Sequence, residues 1–260
     1  MANFLRAAPT AGTTEMPDPL HKIGLIVPAN NTVIEPEFWS LSLENTAFYA
    51  TRVMAKGNLT RDAVFQMEET VDRAVDELVA TGVDLIVYAD MVTTFIMDPD
   101  WNEVRTKEIS ARSGIPCISA WTALRDALEI MGLSSFALGT PYPGYIHTLA
   151  RPYFTDRGYT ITSDETLNIV SMRDVPRVPP EEIRGLARRL SETPCEAIVF
   201  LATDLRTFDV IKLIEDELGV SVLTSNQTIL WSALKNVDCP SLVRGAGKLF
   251  LKKYPVIQKI

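Results

Sequence analysis

Val83 to Asp90 reads VDLIVYAD, and 112 residues further on Cys195 to Ala202 reads CEAIVFLA. Each is an apolar run of strand length, and runs this apolar imply burial on both faces, hence strands of a parallel sheet. Two more pairs flank them. GIPCISAWTAL from Gly114 resembles GVSVLTSNQTIL from Gly219 at an offset of 105, and GLIVPAN from Gly24 matches FALGTPY from Phe136 through Pro28 and Pro141 at an offset of 113. Three matches in one order at nearly one spacing predict two similar α/β lobes related by a pseudo-twofold.

Working outward, Ile23 to Val27, Leu85 to Tyr88, Ile115 to Ser119, Phe136 to Gly139, Ile198 to Leu201 and Val220 to Thr224 read as strands. Between them Arg61 to Thr81, Asp100 to Ser113, Thr122 to Met131, Thr148 to Arg157, Pro180 to Glu192, Thr207 to Leu218 and Gln227 to Lys235 carry apolar residues at helical spacing. Asp100 reads as an N-cap, Pro180 as a first-turn residue, and Gly82, Gly114, Gly132 and Gly219 as helix terminators. Strand, helix, strand in succession predicts right-handed βαβ units, so the fold class is α/β: two pseudosymmetric Rossmann-like lobes with parallel sheets and a shared cleft between them. The divisions expected are a flexible N-terminal tail over 1–20, a first lobe over 21–132, a second over 133–239 and a basic C-terminal tail over 240–260.

The 260 residues include 25 Lys and Arg against 33 Asp and Glu, a net charge of −8. That balance repels phosphate backbones, and outside the tail no basic stripe interrupts it, so nucleic acid is excluded as a partner. The tail's KLFLKKYPVIQKI is too short a basic stretch to anchor the chain to a membrane alone. No membrane-spanning or signal segment is read. Cys117, Cys195 and Cys239 show neither disulfide nor zinc spacing, which fits a reducing cytoplasm. A homo-oligomer is expected because closed symmetric assemblies are the common soluble form.

Ligands of open parallel sheets sit outside the carboxyl ends of the strands, so two facing lobes put both sets of ends around one cleft. Those ends carry Asn30 and Asn31, Asp90 with Met91, Val92 and Thr93, Tyr142, Thr203 with Asp204 and Arg206, and Asn226. The set is rich in hydroxyl and amide groups suited to an anionic oxygen. Turn chemistry selects the same residue types. Asp90 stands apart: a carboxyl closing a central apolar strand is desolvated, which raises its pKa and makes it a usable acid or base near neutrality. Arg206 has Asp204, Asp209 or a substrate carboxylate as possible partners. No dinucleotide, phosphate-loop, nucleophile-elbow or zinc-protease motif occurs, so neither a cofactor nor a metal is expected.

At these residues the chain resembles the aspartate/glutamate racemase superfamily, in the branch that holds maleate cis-trans isomerase and arylmalonate decarboxylase. The resemblance runs from about Lys22 to Leu234 and is strongest in GLIVPANNTVIEPEF (Gly24 to Phe38), GTPYPGYIHTLARPYFTDRGY (Gly139 to Tyr159), LRTFDVIKLIEDELGV (Leu205 to Val220) and SNQTILW (Ser225 to Trp231). It implies two lobes with the site between them, no cofactor, and small dicarboxylic or substituted malonic acids as substrates. By position it gives Asn31 and Tyr142 as substrate-site residues, and Thr203 with the backbone around Met91 and Val92 as carboxylate-holding loops. The family's two catalytic cysteines fall at Asp90 and Ala202, and neither is a cysteine here.

One acid/base therefore remains, Asp90, with Tyr142 beside it. It suffices for decarboxylation or proton transfer at the α carbon of a small carboxylic acid: carbon dioxide leaves from an apolar subpocket, hydroxyl and amide donors hold an enediolate, and Asp90 delivers a proton. Tyr88, Phe95, Ile96 and Trp101 are the expected apolar lining. The alternatives are a hydrolase of a small amide or lactone, with Asp90 activating water, and a non-catalytic protein that binds a small acid.

Overall fold

The two apolar runs form corresponding strands, β3 (Leu85–Tyr88) and β7 (Ala197–Phe200), buried at every residue. The computed structural model describes residues 21–239 and 243–252. In the first lobe β1 (His21–Pro28), α1 (Ile34–Ser40), β2 (Thr46–Val53), α2 (Arg61–Glu68) and α3 (Val71–Thr81) precede β3. After it come α4 (Thr93–Ile96), α5 (Trp101–Ser113), β4 (Cys117–Ser119) and α6 (Ala120–Met131). The second lobe has β5 (Ser135–Thr140), α7 (Gly144–Thr155), β6 (Thr160–Thr166), α8 (Pro180–Leu190), β7, α9 (Phe208–Leu218), β8 (Ser221–Thr224) and α10 (Ser225–Asn236).

Each lobe holds a four-stranded sheet, ordered β2-β1-β3-β4 in one and β6-β5-β7-β8 in the other, and every pairing is parallel. The pseudo-twofold is clearest where β4 runs straight into α6 and β8 into α10. Ser119 and Thr224, 105 residues apart like their sequence stretches, both close a capping box: their hydroxyls accept from the amides of Thr122 and Gln227, whose side chains accept in return. Helices α6 and α10 then pack on each other across the lobes, with Trp121 and Trp231 fully buried. Each helix start is satisfied within its own lobe, and the packing of α6 on α10 joins the two.

The structure corrects several expectations. Arg61 to Thr81 is two helices, because the Thr70 hydroxyl donates back to the Met67 carbonyl at 2.8 Å and accepts the Met54 amide, which breaks the helical ladder. The short helices α1 and α4 and the edge strands β2 and β6 were not anticipated. Asp100 does stand at the N-cap position of α5, but its side chain makes no capping bond and lies 3.5 Å from Arg157 instead. Gly82, Gly114, Gly132 and Gly219 do end helices in the left-handed conformation.

Within the stretch read as a basic tail, the described residues lie against the second lobe. Leu249 is buried, the Gln227 amide donates to the Ala246 carbonyl at 2.7 Å, and Lys248 donates its backbone N–H to Glu215 at 2.9 Å. The expectation for residues 1–20 falls outside the described residues. Among those described, no helix is long and apolar enough to cross a membrane.

Candidate active site

Four strand ends meet at the seam between the lobes. From β1 the chain turns through Asn30 and Asn31. The Asn31 side-chain oxygen accepts the amides of Val33 and Ile34 at 2.9 and 3.2 Å, which starts α1, while its Nδ2 donates to Thr203 Oγ1 at 3.1 Å. Thr203 in turn donates to the carbonyl of Ala89 at 3.0 Å. The chain of bonds runs from the first lobe to the second and back, and ties the end of β7 to the end of β3.

From β3 the chain passes Asp90, whose Oδ1 accepts the Thr93 amide at 2.8 Å. The carboxyl is buried, and desolvation pushes its pKa up to about 6 although backbone N–H groups pull it the other way. From β7 the chain passes Ala202, a non-glycine residue at φ 93°. That conformation costs about 1–3 kcal/mol and turns the next residues back over the cleft. Asp204 follows, its Oδ2 accepting from Asn30 Nδ2 at 3.2 Å. Part of it remains open to the cleft, yet desolvation and the nearby charge of Asp90 push its pKa up to about 7.

These residues surround a cavity of about 550 Å3 including its mouth. Its wall is apolar: Ala55, Leu59, Ala63, Val64 and Met67 follow β2, and Ile169, Met172 and Val175 follow β6. The two covering segments meet, Leu59 donating its amide to the Val170 carbonyl at 2.9 Å and Met172 its amide to Gly57 at 3.2 Å. Tyr142 contributes a buried hydroxyl with no hydrogen-bond partner, and burial holds it well above its ordinary pKa, so it stays a donor. The Asn30 side-chain oxygen is likewise buried and unpartnered.

Of the residues singled out from sequence, Asn30, Asn31, Asp90, Met91, Val92, Tyr142, Thr203 and Asp204 line this one cavity. Three do not. Thr93 lies behind Asp90 and supports it through its amide. Arg206 is exposed and stands 3.6 Å from Asp209. Asn226 is buried between the Thr203 carbonyl and Glu37, at 2.9 and 2.6 Å. The expected apolar lining is also corrected: Tyr88, Phe95, Ile96 and Trp101 are absent from the wall; Tyr88 and Trp101 pack edge to face on each other and Phe95 joins the Tyr142–Tyr153–Phe154 cluster.

Glu37 is the residue that sequence reading missed. From α1 it accepts the Thr207 and Phe208 amides at 2.9 and 3.2 Å, at the start of α9 in the other lobe. Burial pushes it up to about 7 despite those donors. None of Cys117, Cys195 and Cys239 lines the cavity. Among the described residues no cluster of three or more His, Cys, Asp or Glu is placed to hold a metal ion.

Fold and cleft together define a class: a double-lobed α/β protein with one acid-bearing site where the strand ends of both lobes converge. The model of the arylmalonate decarboxylase family matches residues 23–250, and the chain belongs to that family. The maleate isomerase of Geobacillus stearothermophilus is 27% identical over 247 residues, 90% of this chain and 98% of that one. The arylmalonate decarboxylase of Bordetella bronchiseptica is 23% identical over 231 residues, 88% and 95% of the two chains. Among solved structures, a maleate isomerase from Pseudomonas putida S16 with maleate matches with a TM-score of 0.85 at 24% identity, over 90% of this chain and 98% of that one. The Nocardia farcinica maleate cis-trans isomerase with a covalently bound succinylcysteine intermediate gives 0.84 at 24% identity, over 90% and 99%. The family thus places the chain among isomerase- and lyase-type enzymes.

Proposed function

We propose that this protein is a cofactor-independent enzyme that acts on a small carboxylic acid, by decarboxylation or proton transfer at the α carbon, with Asp90 as its acid/base. The observation that carries the reading is the setting of Asp90: a buried carboxyl with a pKa near 6, facing a small cavity whose opposite wall is apolar. A group with that pKa exchanges its proton readily near neutrality, and an apolar wall favours release of neutral carbon dioxide over keeping a carboxylate, the electron pair passing to the α carbon until Asp90 supplies a proton. The Tyr142 hydroxyl supplies a donor for the oxygen on which negative charge grows.

Addition of a thiolate to a double bond is not available to this cleft. No cysteine lines it, and burial pushes the Cys117 thiol up to about 12. The succinylcysteine seen in the Nocardia farcinica enzyme therefore has no counterpart residue here, which favours proton chemistry over covalent isomerisation.

The test is turnover in D2O followed by NMR, offering maleate, malonates, α-substituted monocarboxylic acids, and small amides and lactones. The reading expects one solvent deuterium at the α carbon of an acid, with or without loss of carbon dioxide. Asp90→Asn should slow that reaction about 10²–10⁴-fold, the usual range for one general acid/base. Undiminished turnover by Asp90→Asn would remove Asp90 from the chemistry, and ring opening or amide cleavage would make the protein a hydrolase.

A further inference from the structure

Two carboxyl groups face the cavity, and the reaction above uses one. Asp204 comes from the second lobe and is held by Asn30 of the first at 3.2 Å. The residue before it, Thr203, is bonded to Ala89, the residue before Asp90, at 3.0 Å. The two acids are thereby fastened side by side across the seam, and the lining around them contains no Lys, Arg or His.

The side-chain donors of the same wall are nearly spent. Asn31 donates to Thr203, and Thr203 donates to Ala89. Asn30 divides its amide between Asp204 and the Met172 carbonyl, and the Thr93 amide is taken by Asp90. The Tyr142 hydroxyl is the one side-chain donor of the lining that is buried without a partner. A carboxylate drawn from water into an apolar site needs donors or a cation to replace its hydration. Among its side chains this wall offers such compensation for one carboxylate, and Asp204 opposes a second with like charge.

We propose that Asp204 sets the charge of the substrate: paired with Asp90, it excludes dicarboxylates and leaves the cleft to a small acid with a single carboxylate and an apolar substituent. This rests on Asp90 being the reacting group of the same cleft, adds the substrate class, and narrows the reaction to proton transfer at the α carbon, because decarboxylation to an enediolate requires a second carboxylate. The apolar substituent sits against Leu59, Val64, Met67 and Met172, and the carboxylate turns to Tyr142. Exclusion of dicarboxylates would separate this chain from the relatives whose names record maleate or arylmalonate.

The experiment compares binding of matched acids that differ by one carboxylate, phenylacetate against phenylmalonate and crotonate against maleate, by NMR line broadening and shift titration at about pH 8, where both Asp90 and Asp204 are ionised. Wild type should bind each monocarboxylate at least about tenfold more tightly than its dicarboxylate, the scale of one added like charge a few ångströms away in a partly buried site. Asp204→Asn keeps the side chain's shape and its contact with Asn30. It should narrow the preference about tenfold by improving dicarboxylate binding, with an unchanged circular dichroism spectrum as the folding control. Equal binding of the two classes by wild type, an unchanged preference in Asp204→Asn, or saturable binding of neither acid at millimolar concentration would each overturn the proposal. Turnover that depends on Asp90 with no charge preference would leave the reading of Asp90 standing while this inference falls.

Discussion

Asp90 lies two residues beyond β3, and its strand makes it conspicuous: a carboxyl directly after five buried apolar residues, Leu85 to Ala89, is largely stripped of water. The same fact fixes its effect on stability. Its pKa is about 6 in the folded protein against 3.8 for an unperturbed aspartate, so the unfolded chain ionises first as pH rises. Folding stability should therefore fall between about pH 4 and pH 6 and stay lower above, since the native state must bury a charge there. Removing the ionisable group reverses the loss. Asp90→Asn should be more stable than wild type by about 2–3 kcal/mol at pH 8, with the difference closing near pH 4, which paired thermal melts would measure. A variant that melts lower than wild type at pH 8 would show that Asp90 stabilises the fold. Asp204 was harder to read because its visible neighbour, Arg206, turns to Asp209, while its actual partner, Asn30, lies 174 residues away. A contact that distant leaves no mark on local sequence.

At the scale of elements, the central strands and the edge strands β4 and β8 were legible, and the edge strands β2 and β6 were not. Strands β1, β3, β5 and β7 show nearly continuous apolar runs because both of their faces are covered. β2 reads TAFYATRV and β6 reads TITSDET; both are half-buried at best, so their Thr, Phe and Tyr content was the only available signal. That omission hid the apolar wall of the cleft, which comes from the segments following those two strands. Helix α1 was missed for a related reason, since its 7 residues are too few to display a period. Its Glu37 nevertheless fastens the lobes through the start of α9 and through Asn226. Glu37→Ala leaves the Thr207 and Phe208 amides and the Asn226 side chain without their acceptor and should lower stability by about 1–3 kcal/mol. Urea unfolding at pH 8 would measure it, and an unchanged midpoint would mean that water replaces the carboxylate at no cost.

For the whole molecule, the repeat carried the most information. The offsets of 105 to 113 residues between paired stretches reappear as β1 with β5, β3 with β7 and the β4–α6 unit with β8–α10, because each lobe solves the same packing problem with the same order of parts. Duplication also places the cleft: the strands of both sheets point their carboxyl ends at one seam, and a residue just beyond either central strand must stand in it. The placement of Asp90, Tyr142 and Asn31 in one cavity follows from topology before any side-chain contact is considered. The symmetry is broken where chemistry is decided. Asp90 of the first lobe corresponds to Ala202 of the second, and Asp204 enters two residues later beyond a residue with positive φ.

The account therefore stands on a desolvated acid at the seam of the two lobes, and a titration of the aspartate side-chain carboxyl carbons by 13C NMR observes that acid without knowledge of the substrate. Comparison with Asp90→Asn assigns its resonance. The account predicts a midpoint near 6 for Asp90 in the folded protein. A midpoint near 3.8, the value of an unperturbed aspartate, would show a solvated surface carboxylate and contradict the acid/base role at its root.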